Sequence, residues 1–366
     1  LASFRKAYLL KQRIAKRLLK RKGIHGVGIG LHDPKRPRKG AAIIVYAEAL
    51  SSTAHKKRKV KKRPPAVPLQ LKSASGVPFR IVRCRRFCKH GKPGARSTLT
   101  FTGRIRPVVA GYSVGTSAAS GTAGLIVSDK RSGGGRYILS NNHVLANNNT
   151  PRYSATLQPG GADGGRGPKD RIGSLDRFVK LRKKSANYLD AATSKPLRRD
   201  LLKPAYAVFG AVPGHVVTYK VGDRFKKIGR TTGGVTGTVE SIHTDIRVDY
   251  GDYGNLGTIT FKDQSVIRGK RPVSLAGDSG SVWLTERGNL AAAVNFAGSE
   301  NGRLSISYPV HWFMQVFGSR VARPGKSALL RAQRSRKVNY RSVRPLTSKV
   351  LGQISLIRGR SRSTRK

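Results

Sequence analysis

The stretch Ala276-Gly277-Asp278-Ser279-Gly280-Ser281 sets a serine between glycines. Glycine reaches backbone angles that are costly for other residues, so these flanks let the Ser279 hydroxyl project from a sharp turn. Their small size also lets main-chain N–H groups approach a reacting carbonyl. A nucleophile with an oxyanion hole needs both properties, and Gly277 and Ser279 are the expected N–H donors. In a chain with 42 glycines, a plain turn explains the same letters. A base and an orienting carboxylate elsewhere in the chain would decide between the two readings.

Candidates for both are present. Residues 136–146 run from strand-like apolar positions through Ser140-Asn141-Asn142 into His143, followed by Val144-Leu145-Ala146. A histidine at the end of a strand can serve as general base toward a serine, or can make an ordinary turn hydrogen bond. Asn187-Tyr188-Leu189-Asp190-Ala191-Ala192-Thr193 embeds a lone carboxylate among apolar and small residues. A buried Asp190 requires hydrogen-bond donors, and an imidazole N–H is a suitable one; a helix cap is the alternative.

The order His143, Asp190, Ser279 is one of the known chain orders of the serine triad. With these residues the chain resembles the trypsin/chymotrypsin-like serine peptidases. There, an Asn-His-Val-Leu type segment carries the base, an Asp before small residues orients it, and Gly-Asp-Ser-Gly carries the nucleophile. Gly229-Arg230-Thr231-Thr232-Gly233 is similar to the stretch that opens the second barrel in several bacterial members. The wording Leu139-Ser140-Asn141-Asn142-His143-Val144-Leu145-Ala146 is closest to bacterial and plant narrow-leaf-type peptidases with an extra N-terminal domain.

The resemblance implies a mainly β fold: two six-stranded antiparallel β-barrels, chymotrypsin-like, behind a small β-containing N-terminal domain and flanked by basic tails. It implies His143, Asp190 and Ser279 as catalytic residues, Gly277 and Ser279 as oxyanion donors, and no cofactor or metal. By alignment from Ser279, the substrate pocket is lined by Val273, Ser274, Phe296, Ala297 and Gly298. A pocket without an acid is expected to take apolar or small side chains of a protein or peptide substrate. Many members pair the acid before the nucleophile with a newly liberated N-terminus; a site formed without such processing is expected around Asp278.

Charge divides the chain differently. Its 73 basic and 17 acidic residues give +56. Residues 129–300 hold 27 basic and 15 acidic residues, whereas the flanks hold 46 basic and 2 acidic ones. Residues 49–128 and 301–366 contain no acid at all. Such segments attract polyanions through counterion release, so nucleic acid, an RNA-rich particle or an anionic membrane are candidate partners. An alternative function follows: a catalytically idle peptidase fold that binds nucleic acid through its basic flanks.

Four divisions are expected. Residues 1–22 have helical apolar spacing and a basic face, as on a membrane-bound, RNA-bound or targeting helix. Residues 23–102 form the small domain, with strands near 27–30, 42–46 and 76–82. Residues 103–318 form the peptidase domain, with short strands including 123–127, 216–219, 257–261, 281–284 and 290–294. They end in a helix over 308–317 that stops at Gly318. Residues 319–366 read as a flexible basic tail. Lys56-Lys57-Arg58-Lys59-Val60 matches a nuclear-localisation pattern, and Cys84, Cys88 and His90 form a cluster with one ligand fewer than a closed zinc site. With 38% hydrophobic residues a sizeable core is affordable, and no run of about 18 apolar residues suggests a membrane span. Two cysteines and no apolar leader lead to the expectation of a cytoplasmic setting.

Overall fold

Apolar residues at positions 7, 10, 14, 15 and 18 make one buried face on the helix Phe4–Leu19, whose start is capped by the Ser3 hydroxyl accepting the Lys6 N–H at 3.2 Å. The computed structural model describes residues 1–48, 76–89, 101–129, 133, 135–324 and 339–361. The helix lays that face on the strands Ile24–Leu31 and Ala41–Ala47, which pair antiparallel, with Phe79–Arg83 added parallel beyond them. Its apolar side is therefore covered by the chain's own sheet. The lysine-rich motif at 56–60 lies outside the described residues.

Ile24–Leu31 also pairs antiparallel with Gly233–Asp249, so the N-terminal sheet continues into the sheet of the second barrel. That barrel contains six strands, in the order Arg224–Gly229, Val282–Thr285, Ala291–Ser299, Leu304–Pro309, Thr258–Arg268 and Gly233–Asp249. The last returns to pair with the first and closes the ring. The 17-residue strand Gly233–Asp249 alternates buried and exposed positions over its first part and is buried on both faces from Val239 to Ile246, the stretch with which Ile24–Leu31 pairs. Two sets of ion pairs fasten the junction: buried Lys11 Nζ on the helix lies 2.6 Å from Asp245, and the partly exposed Arg80 and Arg268 both bond buried Glu240.

The other sheet follows the order Ser319–Val321, Leu125–Asp129, Arg136–Ser140, Ala192–Pro196, Arg171–Val179, Ala155–Leu157, Ser113–Gly115 and Ser120–Thr122. The Gly124 N–H, just past the last of these, donates to Leu139 O, so the sheet returns upon itself. The fold is mainly β with two barrel-like sheets, as expected.

Three local expectations are corrected. Residues 216–219 form no strand; isolated bridges hold His215 to Ala291 and Lys220 to Ser342, because Pro213-Gly214 and Gly222 confine the segment to a short connection. The helix begins at Val310 rather than Tyr308, with Pro309 as its N-cap, and ends on left-handed Gly318. Residues 319–366 are not a free tail where they are described. Val343 and Leu346 are buried, the Trp312 indole donates to Arg344 O at 2.6 Å, and Leu356–Arg358 adds a strand to Arg171–Val179. Apolar residues spaced thinly among arginines carry this packing, and average composition conceals them.

Candidate active site

His143 sits on a single helical turn, Asn142–Leu145, entered directly from the strand Arg136–Ser140. Asp190 precedes the strand Ala192–Pro196 and caps no helix. The neighbouring strands Arg136–Ser140 and Ala192–Pro196 bring the two residues together. Asp190 is fully buried, and its Oδ2 lies 2.5 Å from His143 Nδ1. The His143 main-chain N–H donates to Oδ1 at 3.3 Å, and Asn141 Nδ2 donates to the Asp190 carbonyl at 2.6 Å. A buried carboxylate is stable only with such donors, and they leave the imidazole one orientation.

A further donor escaped the sequence reading. The Tyr250 hydroxyl donates to Asp190 Oδ2 at 2.5 Å, and its ring meets the His143 ring edge-on at 5.8 Å. Burial and the adjacent Asp190 charge push the Tyr250 phenol well above its ordinary pKa, so it remains a donor. Tyr253 completes the wall: its hydroxyl bonds Asn142 and Ala146, holding the His143 turn from outside. Both tyrosines come from the turn Asp249-Tyr250-Gly251-Asp252-Tyr253-Gly254. The paired Tyr-Gly steps were the available signal.

Ser279 lies across the junction of the barrels, where its carbonyl accepts the Thr122 N–H at 2.8 Å. A Cβ on Gly121 would touch both Val144 of the His143 turn and Ser279 O, so the two segments abut. The flanking glycines are required by conformation and by space. Gly277 has φ +96° and Gly280 φ +93°; a Cβ on the second would come within 2.4 Å of Thr122 O. Gly277 O accepts from Thr122 Oγ1 at 2.8 Å, which fixes the peptide before Asp278.

Asp278 turns away from the serine. Its Oδ1 accepts the N–H groups of Thr231 and Thr232, each at 3.0 Å, and its Oδ2 accepts that of Leu275 at 2.9 Å. Fully buried Lys227 places its ammonium 4.0 Å away; burial lowers its pKa while Asp278 works to raise it. Lys227 thus offers Asp278 a cation from within the barrel. Arg230 is held in turn by Asp163, so the Gly229 to Gly233 stretch supports the serine turn as well as opening a barrel strand.

The remaining expected residues fall as follows. The Ser274 hydroxyl donates to Asn295 Oδ1 and Ala297 O, and a Cβ on Gly298 would lie 2.7 Å from it, so Ser274, Ala297 and Gly298 converge. Phe296 packs in the core with its ring tilted against that of Phe261, centroids 4.6 Å apart. Val273 is fully buried in the apolar cluster containing Val239, Ile267 and Trp283.

The chain's own segment also reaches the site. Phe87–Cys88 pairs parallel with Val248 and Asp249 and antiparallel with Gly298 and Ser299. The Ser279 hydroxyl donates to Lys89 O at 3.2 Å. Cys84 is buried, which pushes its thiol up to about 12. Cys88 takes part in the strand pairing; His90, the third member of that cluster, lies outside the described residues, among which no cluster could hold a metal.

No family model and no curated protein matches this chain. Solved structures do. It is similar to a glutamic acid-specific serine protease (21% identity, TM-score 0.42, 59% of this chain and 100% of that one). It is also similar to Thermobifida fusca protease A (17%, 0.42, 59% and 99%) and to Cellulomonas bogoriensis chymotrypsin (20%, 0.41, 59% and 99%). These neighbours are chymotrypsin-like serine proteases. Among the described residues no helix is long and apolar enough to cross a membrane.

Proposed function

We propose that this chain is a serine endopeptidase in which His143, Asp190 and Ser279 act as a triad. The observation that carries the reading is the buried His143–Asp190 pair, 2.5 Å apart, beside a serine on a turn of positive-φ glycines whose hydroxyl already meets a peptide carbonyl. In the reaction, Ser279 Oγ attacks the substrate carbonyl carbon as His143 Nε2 accepts its proton. Asp190 holds the Nδ1–H tautomer and stabilises the imidazolium. The Gly277 and Ser279 N–H groups receive the developing oxyanion, each such donor contributing about 2.7–4 kcal/mol in comparable sites. The C–N bond breaks as His143 returns the proton to the leaving amine, and water then releases the acyl group by the reverse proton path.

The pocket residues Ser274, Ala297 and Gly298 bring no carboxylate to the acyl side, which supports a preference for apolar or small side chains there. The excess of basic residues outside 129–300 supports a second reading, an idle peptidase fold on a polyanion. Fluorophosphonate labelling separates the two. Folded wild type should incorporate the probe over hours, and Ser279→Ala should not. Absence of Ser279-dependent labelling would overturn the enzyme reading.

A further inference from the structure

A strand docked between two others in the groove beside a nucleophile is the way an extended peptide adds to a sheet: main-chain pairs hold it, and side-chain subsites select it. Phe87–Cys88 lies in such a groove, between Val248 and Asp249 on one side and Gly298 and Ser299 on the other. The Lys89 N–H donates to Asp249 O at 3.3 Å, and its carbonyl accepts from Ser279. The Lys89 ammonium sits 4.6 Å from the centroid of the Tyr253 ring, a cation–π arrangement. Burial works against its charge, while Asp190, Asp249 and Asp252 favour it. Phe87 anchors the segment at the other end, packed edge-on against Tyr46 at 5.7 Å in the N-terminal sheet.

We infer that this groove is the peptide-binding groove of the protein, that the Tyr253 subsite selects a basic side chain of an extended substrate, and that residues 87–89 are its resident occupant, keeping the intact chain latent. The inference rests on the peptidase reading. The residue whose carbonyl meets Ser279 is Lys89, with its side chain on Tyr253, so the acid-free surface at Ser274 and Gly298 receives a small or apolar side chain from a neighbouring position of the substrate. An occupant tethered within the same chain competes at an effective concentration of about millimolar, so an external peptide meets a filled site until the segment is displaced.

Two readouts test this. In Ser279→Ala protein, amide hydrogen exchange at residues 87–89 should be slowed as in an interior strand. It should accelerate at least tenfold on Lys89→Glu, which puts an anion over Tyr253, or on Cys88→Pro, which breaks the ladder. In protein with Ser279 intact, either variant should label with fluorophosphonate at least tenfold faster than wild type. An added peptide Arg-Phe-Ser-Lys should slow labelling of the Lys89→Glu protein, and Arg-Phe-Ser-Glu should not. Exchange at free-chain rates, or equal labelling of wild type and both variants, overturns the occupied groove and leaves the nucleophile standing. Slowed exchange with no labelling of any form leaves the groove occupied and overturns the nucleophile. Equal effects of the two peptides overturn the basic subsite.

Discussion

Asp190→Asn changes one atom in a site where three donors converge: the His143 N–H, the His143 Nδ1–H and the Tyr250 hydroxyl. A carboxylate accepts all three. An amide presents one oxygen and one NH2, so at least one donor must face another donor. The imidazole can respond by moving its proton to Nε2, the atom that must receive the Ser279 proton. The negative charge 2.5 Å from Nδ1, which would stabilise the forming imidazolium, is lost at the same time. A loss of about 10⁴ in rate, as for the equivalent change in other triads, corresponds to about 5.4 kcal/mol of barrier. The assay is the second-order rate of fluorophosphonate inactivation, measured in the Lys89→Glu background so that access is equal. Cooperative denaturant unfolding serves as the check on the fold. A loss below tenfold in folded protein would refute the assignment of Asp190 as the group that orients and supports His143.

Lys11→Met should destabilise the protein by about 3–5 kcal/mol in denaturant, since it leaves Asp245 and Asp263 without the ammonium 2.6 and 3.7 Å away; a second change, Asp245→Leu, should recover part of the loss. At the same cluster, burial works to raise the Asp263 carboxyl, but the His243 imidazole 3.6 Å away and the Lys11 charge bring it down to about 2. That contribution is present above the ordinary carboxylate pKa and is lost as pH falls through about 2, and Lys11→Met should weaken the acid dependence. Lys227 titrates below its ordinary value because of burial, so the unfolded chain binds its proton more tightly than the folded one. Stability should therefore rise with pH up to the ordinary lysine pKa, and Lys227→Met should flatten that rise in pH-dependent denaturation curves.

The serine turn was legible because its cause is local: residues 277 and 280 need positive φ, and glycine supplies it within a few bonds. The His143 and Asp190 segments were legible as a strand end and a buried carboxylate for similar local reasons. The C-terminal basic run was misread because its packing depends on a few apolar side chains, Val343, Leu346 and Leu356, that meet surfaces far away in the chain. Tyr250 was missed because its Tyr-Gly step announces a turn but not the carboxylate, 60 residues earlier, that the turn meets.

By itself the sequence determined the β-rich class, the glycine turn at Ser279 and the identity of the residues offered as base and acid, all matters of local backbone preference and short patterns. Tertiary structure alone decided which donors surround Asp190, that Lys227 faces Asp278, and that the N-terminal sheet joins the barrel through Gly233–Asp249. It also decided that Lys89 lies at Ser279, 190 residues away in the chain. Contacts at such separations arise only when strand register and barrel closure place them, because the energy of a buried charge or a paired strand depends on what faces it rather than on what precedes it.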